Sequence, residues 1–413
     1  MKKKHTYRAK NVKSIDWAQL KGHVAGQSLV FAVDIAKEKQ FAFLSSAEGE
    51  ISELVSGNHP EQTRELLEGL QSLGCPVTVM MESTGTYGDA LRYRFRGLGF
   101  EVYQASAKRV SDVREIYDGV PSLHDAKAAT VIANLHRAGL TRPWRESTAV
   151  ERELDAQRRE FDMHQRNYRR NQNRLEGVLA RHWPEILTLL ALDSVTVEGL
   201  LIEYGTPAKL AAEPQAAEKI RCLSKGQLSH DKIERLIDSA RNTLGQPCLE
   251  AERRWVQALA EEMRDARLQQ KRSKATLEAV IEADAGLKEL STVIGLVTTA
   301  VLLSCRLDPR HFASARSFQK ALGLNLKEKS SGRYQGQLKL TKRGCSIARS
   351  YLYFAALRLI HGNPVIKAWY QQKADPRAKN KTVIALMRKR AKALWYVGRG
   401  DRFDARTLFP AVA

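Results

Sequence analysis

Four short runs in the first third of the chain, residues 28–35 (SLVFAVDI), 40–46 (QFAFLSS), 76–82 (PVTVMME) and 100–105 (FEVYQA), are dense in apolar, mostly β-forming residues and are separated by Gly, Asn or charge. That pattern predicts strands. Between and after them, apolar residues recur at helical spacing over 60–73, 87–98 and, beyond the Pro121-Ser122 turn signal, 124–138. The first 150 residues therefore read as a mixed α/β domain, behind a basic extension at 1–27.

The strand signal then stops. A charged helix runs to Trp183-Pro184 with Leu154, Phe161, Tyr168 and Leu175 at seven-residue intervals, one stripe of a heptad seam. A second long helix follows Pro247, carrying Val256, Leu259, Met263, Ala266, Leu277 and Val280 on a similar track that Gln270 and Ser273 interrupt. The two predict a coiled coil, within one chain or between chains, or else two amphipathic helices packed in a bundle. Residues 185–246, punctuated by Gly205, Pro207, Gly226 and Gly245, read as a small helical insertion. The predicted organisation is thus an α/β domain at 28–149, a helix pair at 150–285 with its insertion, and a helix-rich domain at 286–413 with a polar loop from 327 to 336.

Composition sharpens this picture. A chain of 413 residues with 43% hydrophobic content is long enough for two or three cores. Its formal net charge is +21, with Lys and Arg spread from Lys2 to Arg406, so several surfaces must be positive at once. This favours a polyanionic partner, nucleic acid first. In the last third, Lys373, Arg377, Lys379, Lys381, Arg388, Lys389, Arg390 and Lys392 interleave with Trp369, Tyr370 and Trp395. They predict a phosphate-binding surface with stacking aromatics, or more plainly a solvated helix face. Five scattered cysteines, with no CxxC pair and no His at ligand spacing, argue against a disulfide framework or structural zinc. The basic start is followed by no apolar segment before Gly26, and no window approaches the roughly 20 apolar residues of a membrane span. No membrane partner and a reducing cytoplasm are the expectations.

Three carboxylates stand out by position. Asp34 ends the apolar run VFAVD, Glu82 ends VTVMME before Ser83-Thr84-Gly85, and Asp125 opens the helix at 124–138. Singly each is ordinary, since such residues usually cap or face solvent. Together they are what an RNase H-like sheet needs to hold Mg²⁺, which takes hard oxygen ligands.

These residues sit in segments that resemble the DEDD transposases of the insertion-sequence 110 family, the bridge-RNA-guided recombinases. The resemblance runs through VFAVDIAKEK, MESTGTYG, ASAKRVSDVREIYDGVPSLHDAKAATVIANL, TPAKLAAEP, SKGQLSHDKIERLIDSA, IGLVTTAVLLS, DPRHFASARSFQKALGL and SSGRYQGQLKLTKRG, nearly the whole chain after residue 27. It implies a RuvC-like, RNase H-like N-terminal domain, a coiled coil with a helical insertion, and a helical C-terminal transposase domain. It implies Asp34, Glu82 and Asp125 as Mg²⁺ ligands, with the family's fourth acidic position falling on Ala128. Either Asp118 or another residue stands in there, or the chain is an inactivated, nucleic-acid-binding form. The resemblance also implies Ser331 as the nucleophile, beside Ser330. Lys108, Arg109, Arg166, Arg170, Lys329, Arg333, Lys342, Arg343, Lys379, Lys381, Arg388 and Arg390 are the candidate contacts to nucleic acid. The implied partners are a structured non-coding guide RNA, donor and target DNA, and further copies of the chain as a dimer of dimers, associated with the bacterial nucleoid. The segment LSTVIGLVTTAVLLS takes the place of a helix-hairpin-helix element, with Thr292-Val293 where Pro-Gly is usual and only Gly295 remaining. A metal-dependent junction endonuclease of the RuvC type, with Ser331 merely structural, is the alternative reading.

Overall fold

The computed structural model describes residues 9–82, 85–116, 119, 125–328, 330–331, 334–336 and 338–409. The chain forms two compact units, residues 1–146 and 147–413.

The first unit is built on a seven-stranded sheet in the order β1-β4-β3-β2-β5-β6-β7. Its strands are β1 (Lys10–Asn11), β2 (Leu29–Ile35), β3 (Lys39–Ser46), β4 (Gly49–Gly57), β5 (Val77–Glu82), β6 (Glu101–Ala105) and β7 (Arg142–Pro143). β2, β3 and β4 are antiparallel neighbours, whereas β5 and β6 run parallel to β2 on its other side. An antiparallel meander flanked by parallel crossovers is the RNase H-like arrangement, and the chain path divides between β2 and β5. The helices are α1 (Trp17–Val24), α2 (Pro60–Ser72), α3 (Asp89–Gly97), α4 (Ala107–Val113) and α5 (Asp125–Arg137). Period-two alternation sorts the two faces of the sheet. Phe31, Val33, Val79 and Met81 enter one core with Leu66, Leu70 and Phe95 of α2 and α3. Ala32, Phe43 and Met80 enter another with Ala129, Ile132 and Leu135 of α5.

Two features differ from the sequence reading. Residues 10–24, set apart there as a basic extension, pack onto the sheet: β1 pairs with β4, and Val12 and Val24 are fully buried. Gly69 of α2 has no Cβ, which a Trp17 ring 2.1 Å from that position would exclude. The strand β4 was not anticipated, because only Leu54 and Ser56 of its nine residues are buried and its apolar signal is diluted by Glu50, Ser52 and Glu53.

In the second unit, α6 (Ala149–His182) and α12 (Glu250–Glu282) run antiparallel within the one chain. Asn171 donates to Glu262 at 3.0 Å near mid-length, and His182 lies 3.5 Å from Glu252 at the far end. Leu154, Phe161, Leu175, Val256, Leu259, Met263, Ala266 and Leu277 are buried, and Ser273 is buried among them. α6 begins with a reciprocal capping box between Thr148 and Glu151. The insertion holds α7 (Ile186–Leu189), α8 (Val195–Glu203), α9 (Pro207–Ala211), α10 (Ala216–Leu223) and α11 (His230–Arg241). Its core is shared with Leu175–Trp183 of one long helix and Val256–Met263 of the other. The opposite ends of the same pair, Leu154, Phe161, Leu277 and Ile281, belong to the C-terminal core. The helix pair is therefore common to both cores.

That C-terminal core gathers α13 (Ala285–Ile294), α14 (Leu296–Ser304), α15 (Ala315–Ala321), α16 (Ser346–Gly362), α17 (Pro364–Lys373), α18 (Lys379–Val397) and α19 (Ala405–Leu408). α13 and α14 bend by 111° at Gly295, whose φ of 86° suits glycine. α14 is apolar because Val297–Ser304 are buried in this core. Among the described residues no single helix is long and apolar enough to cross a membrane. The segment expected to be a polar loop instead forms paired strands, β8 (Leu326–Lys327) with β11 (Lys339–Leu340), and β9 (Ser330–Ser331) with β10 (Tyr334–Gln335). It escaped a pattern of apolar alternation because its described side chains are mostly exposed.

Candidate active site

Asp34 and Glu82 lie on the two strands where the sheet topology divides. β2 and β5 pair in parallel from Leu29↔Val77 to Val33↔Met81, so the next residues of each strand, Asp34 and Glu82, are level at their carboxyl ends. Neighbouring strands are about 4.8 Å apart. Alternation puts both on the face of Ala32 and Met80, the face that α5 covers and whose first residue is Asp125. The outer carboxyl ends of strands at such a dividing point are where open α/β sheets bind ligands. Gly88 supports the site from the loop after β5: a Cβ there would lie 2.6 Å from Ile35 Cδ1, next to Asp34. Behind it, buried Arg92 pairs with Asp89 at 2.5 Å and lies 5.8 Å from the Trp144 ring.

Burial, then the charges of Glu82 and Asp125, push the Asp34 carboxyl from its ordinary 3.8 up to about 6, against the amide of Ile35 that holds it down. Burial also raises Glu82. Asp34 and Glu82, with Asp125 near enough for its charge to act on Asp34, are hard oxygen donors of the kind a divalent cation such as Mg²⁺ takes, although the oxygen atoms of the three are not gathered within ligand distance of one another. Ala128, one turn into α5, is only 4% exposed. Asp118, the possible substitute, lies outside the described residues.

Ser331 is exposed and pairs with Tyr334 across the hairpin, bracketing residues 332–333. Arg333 and Lys329 lie outside the described residues, as does the side chain of Lys379. Lys342 and Arg343 are exposed on the chain leaving β11, and Arg166 and Arg170 are exposed on α6. Lys108 pairs with Asp112, and Arg109 donates to the Leu140 carbonyl, both at the surface.

The basic C-terminal stretch requires correction. Arg390, expected to contact nucleic acid, is 2% exposed and donates to the Val293 carbonyl at 3.1 Å, with Phe403 4.5 Å from its guanidinium. Burial lowers its pKa to about 10. The cause is helical phase: Val383, Leu386, Met387, Arg390, Leu394 and Val397 share the core face of α18. Arg388 is half-buried and donates to the Leu324 carbonyl, while Lys389 donates to Leu408 O at 2.9 Å. The aromatics are also engaged: Trp395 Nε1 donates to Phe312 O at 2.8 Å, Trp369 packs on Phe409 at 5.1 Å, and Tyr370 is partly buried in the core. Lys381 and Lys392 are the exposed cations of this helix among its described side chains.

The first unit thus carries acidic residues at the carboxyl edge of an RNase H-like sheet, and the second a long helix pair with a helical domain. A family model of the IS110 DEDD type, described as Transposase, matches residues 31–184, and another, described as Transposase IS116/IS110/IS902 family, matches residues 289–371. Between them they cover more than half of the chain, which belongs to the IS110 transposase family. A "Probable family 20 transposase" of Pseudomonas aeruginosa is 25% identical over 146 residues, 34% of this chain and 43% of that protein. The chain thus spans less than half the length of that curated relative. Among solved structures, T. thermophilus RuvC in complex with a Holliday junction substrate matches 28% of this chain and 99% of its own at 15% identity, with a TM-score of 0.23. The fold assignment rests on the strand order described above.

Proposed function

We propose that the chain is an RNA-guided DNA recombinase that joins donor and target DNA, with Asp34, Glu82 and Asp125 holding Mg²⁺ and Ser331 as nucleophile, acting as a dimer of dimers. The observation that carries this reading is the level placement of Asp34 and Glu82 at the ends of paired parallel strands, where burial and then the neighbouring negative charges of Glu82 and Asp125 push Asp34 up to about 6. Family membership supports DNA recombination as the reaction class. A divalent ion held there supplies Lewis-acid polarisation of a phosphodiester and lowers the pKa of a bound hydroxyl. The three carboxylates position that charge. Exposed Ser331 gives up its proton, bonds to phosphorus through Oγ, and displaces a deoxyribose oxygen that takes up a proton; the phosphoserine link conserves the ester for rejoining. Exposed Lys342 and Arg343 neutralise charge that develops on the phosphate.

The partner is tested by purifying the chain from its cells and sequencing the RNA that accompanies it. One discrete, structured RNA is the expected result. Only random fragments in proportion to cellular abundance would remove the guide from the reading.

A further inference from the structure

At the end of the long helix pair farthest from the C-terminal core, three side chains from the two sides of the insertion come together. His182 closes α6, Cys248 precedes α12, and Glu252 lies in the first turn of α12. One ligand atom from each, nitrogen, sulfur and oxygen, all lie within 4.8 Å of one another.

The surroundings prepare these atoms. His182 is 4% exposed, and its Nδ1 meets the Gln246 carbonyl at 3.0 Å, which fixes the proton on Nδ1 and leaves Nε2 as the free lone pair. A metal-ligating histidine is oriented by this kind of bond through its other nitrogen. Nε2 faces Glu252 Oε1 at 3.5 Å. The other carboxylate oxygen of Glu252 accepts from the Leu249 amide at 2.9 Å, which holds the side chain in place. The return strand is delivered by close backbone contact: a Cβ on Gly245 would lie 2.3 Å from His182 O, and Gln246 N donates to Arg181 O at 2.8 Å. Arg181 also approaches Glu252 Oε1 at 3.9 Å, from an exposed position.

We propose that His182, Cys248 and Glu252 form a second metal site, for a zinc-class divalent ion, that staples the two ends of the helical insertion to each other. Bond lengths of about 2.3 Å to sulfur and about 2.1 Å to nitrogen put tetrahedral ligand atoms roughly 3.3–3.8 Å apart, a small contraction from the present spacing. A mixed N, S and O donor set selects this class over Mg²⁺. Binding displaces the thiol proton of Cys248 to solvent. Three protein ligands leave one position for water.

The test uses the full-length chain stripped with a chelator and titrated with Co²⁺, then Zn²⁺. The expected result is tetrahedral d–d bands and a sulfur-to-cobalt charge-transfer band that saturate at one Co²⁺ per chain, all displaced by Zn²⁺. Cys248→Ala should abolish the charge-transfer band and weaken binding by at least about tenfold. Glu252→Gln, which keeps the capping bond, should weaken binding while retaining the band. Cys222→Ala should change neither, and the thiolate band itself separates this site from the all-oxygen carboxylates on the sheet. A band that survives Cys248→Ala, or Co²⁺ bound with no thiolate signature, overturns the proposal. No binding at all also overturns it and leaves His182 and Glu252 as an ordinary polar contact.

Discussion

Replacing Asp34 with Asn separates what the fold needs from what the site does. In the metal-free protein the Asp34 carboxylate is desolvated and faces two like charges, so keeping it ionised at neutral pH works against folding. A rise from 3.8 to about 6 is equivalent to about 3 kcal/mol. Since a third or more of the group still meets solvent, that figure is roughly halved, to about 1–2 kcal/mol. For a unit of this size the gain is roughly 3–6 °C in Tm. The sign follows from linkage. Folding raises this acid's pKa, so its support for the fold is complete below about 3.8 and is lost as pH rises through about 6. Asp34→Asn in EDTA should therefore melt higher than the parent at pH 7.5, and the advantage should shrink as pH falls to 5. Mg²⁺ should reverse the order by stabilising only the parent in proportion to its occupancy. The assay is differential scanning fluorimetry across pH with EDTA or Mg²⁺. A variant that melts lower than the parent in EDTA, or gains equally from Mg²⁺, would refute the reasoning.

Ala128→Asp adds a carboxylate at a position only 4% exposed; it should lower the metal-free Tm, and Mg²⁺ should restore more stability to it than to the parent if position 128 faces the ions. Cleavage assays on the same variant should show more Mg²⁺-dependent strand breakage, and equal cutting would count against this register of the motif. Ser331→Ala should abolish covalent protein–DNA adducts on a nicked substrate while leaving binding nearly intact, since one hydroxyl contributes about 1 kcal/mol through a hydrogen bond. Ser330→Ala is the control, and the reverse outcome would move the nucleophile by one residue. Arg390→Met should leave nucleic-acid affinity within about twofold and Tm unchanged or higher, because the buried guanidinium leaves Nε and Nη2 without partners; a large loss of affinity would restore it as a contact. Affinity for nucleic acid should fall steeply between low and physiological salt, as counterion release from a +21 chain requires, and a flat titration would contradict the charge argument.

Much of this protein is written locally. Apolar runs that end in a carboxylate marked β2 and β5 and placed Asp34 and Glu82 at their tips, because a strand's period of two is a property of consecutive residues. The heptad stripe of Leu154, Phe161 and Leu175 likewise marked α6, and the charge of +21 set the expectation of a polyanionic partner. What depends on other segments was not legible. The polar strand β4 is a strand because β3 lies beside it, and residues 10–24 belong to the first core because α2 and β4 offer a surface to cover. Helical phase in α18 turned Arg390 inward, while its sequence neighbours Lys389 and Lys392 read alike. His182 and Glu252 meet only because the insertion returns the chain to its starting point, and no spacing rule reaches across such a loop. The sequence alone determined the long helices, the apolar strands and the carboxylates at their ends; tertiary structure decided which charges are buried and which distant side chains meet, since both depend on the free energy of packing between segments far apart in the chain.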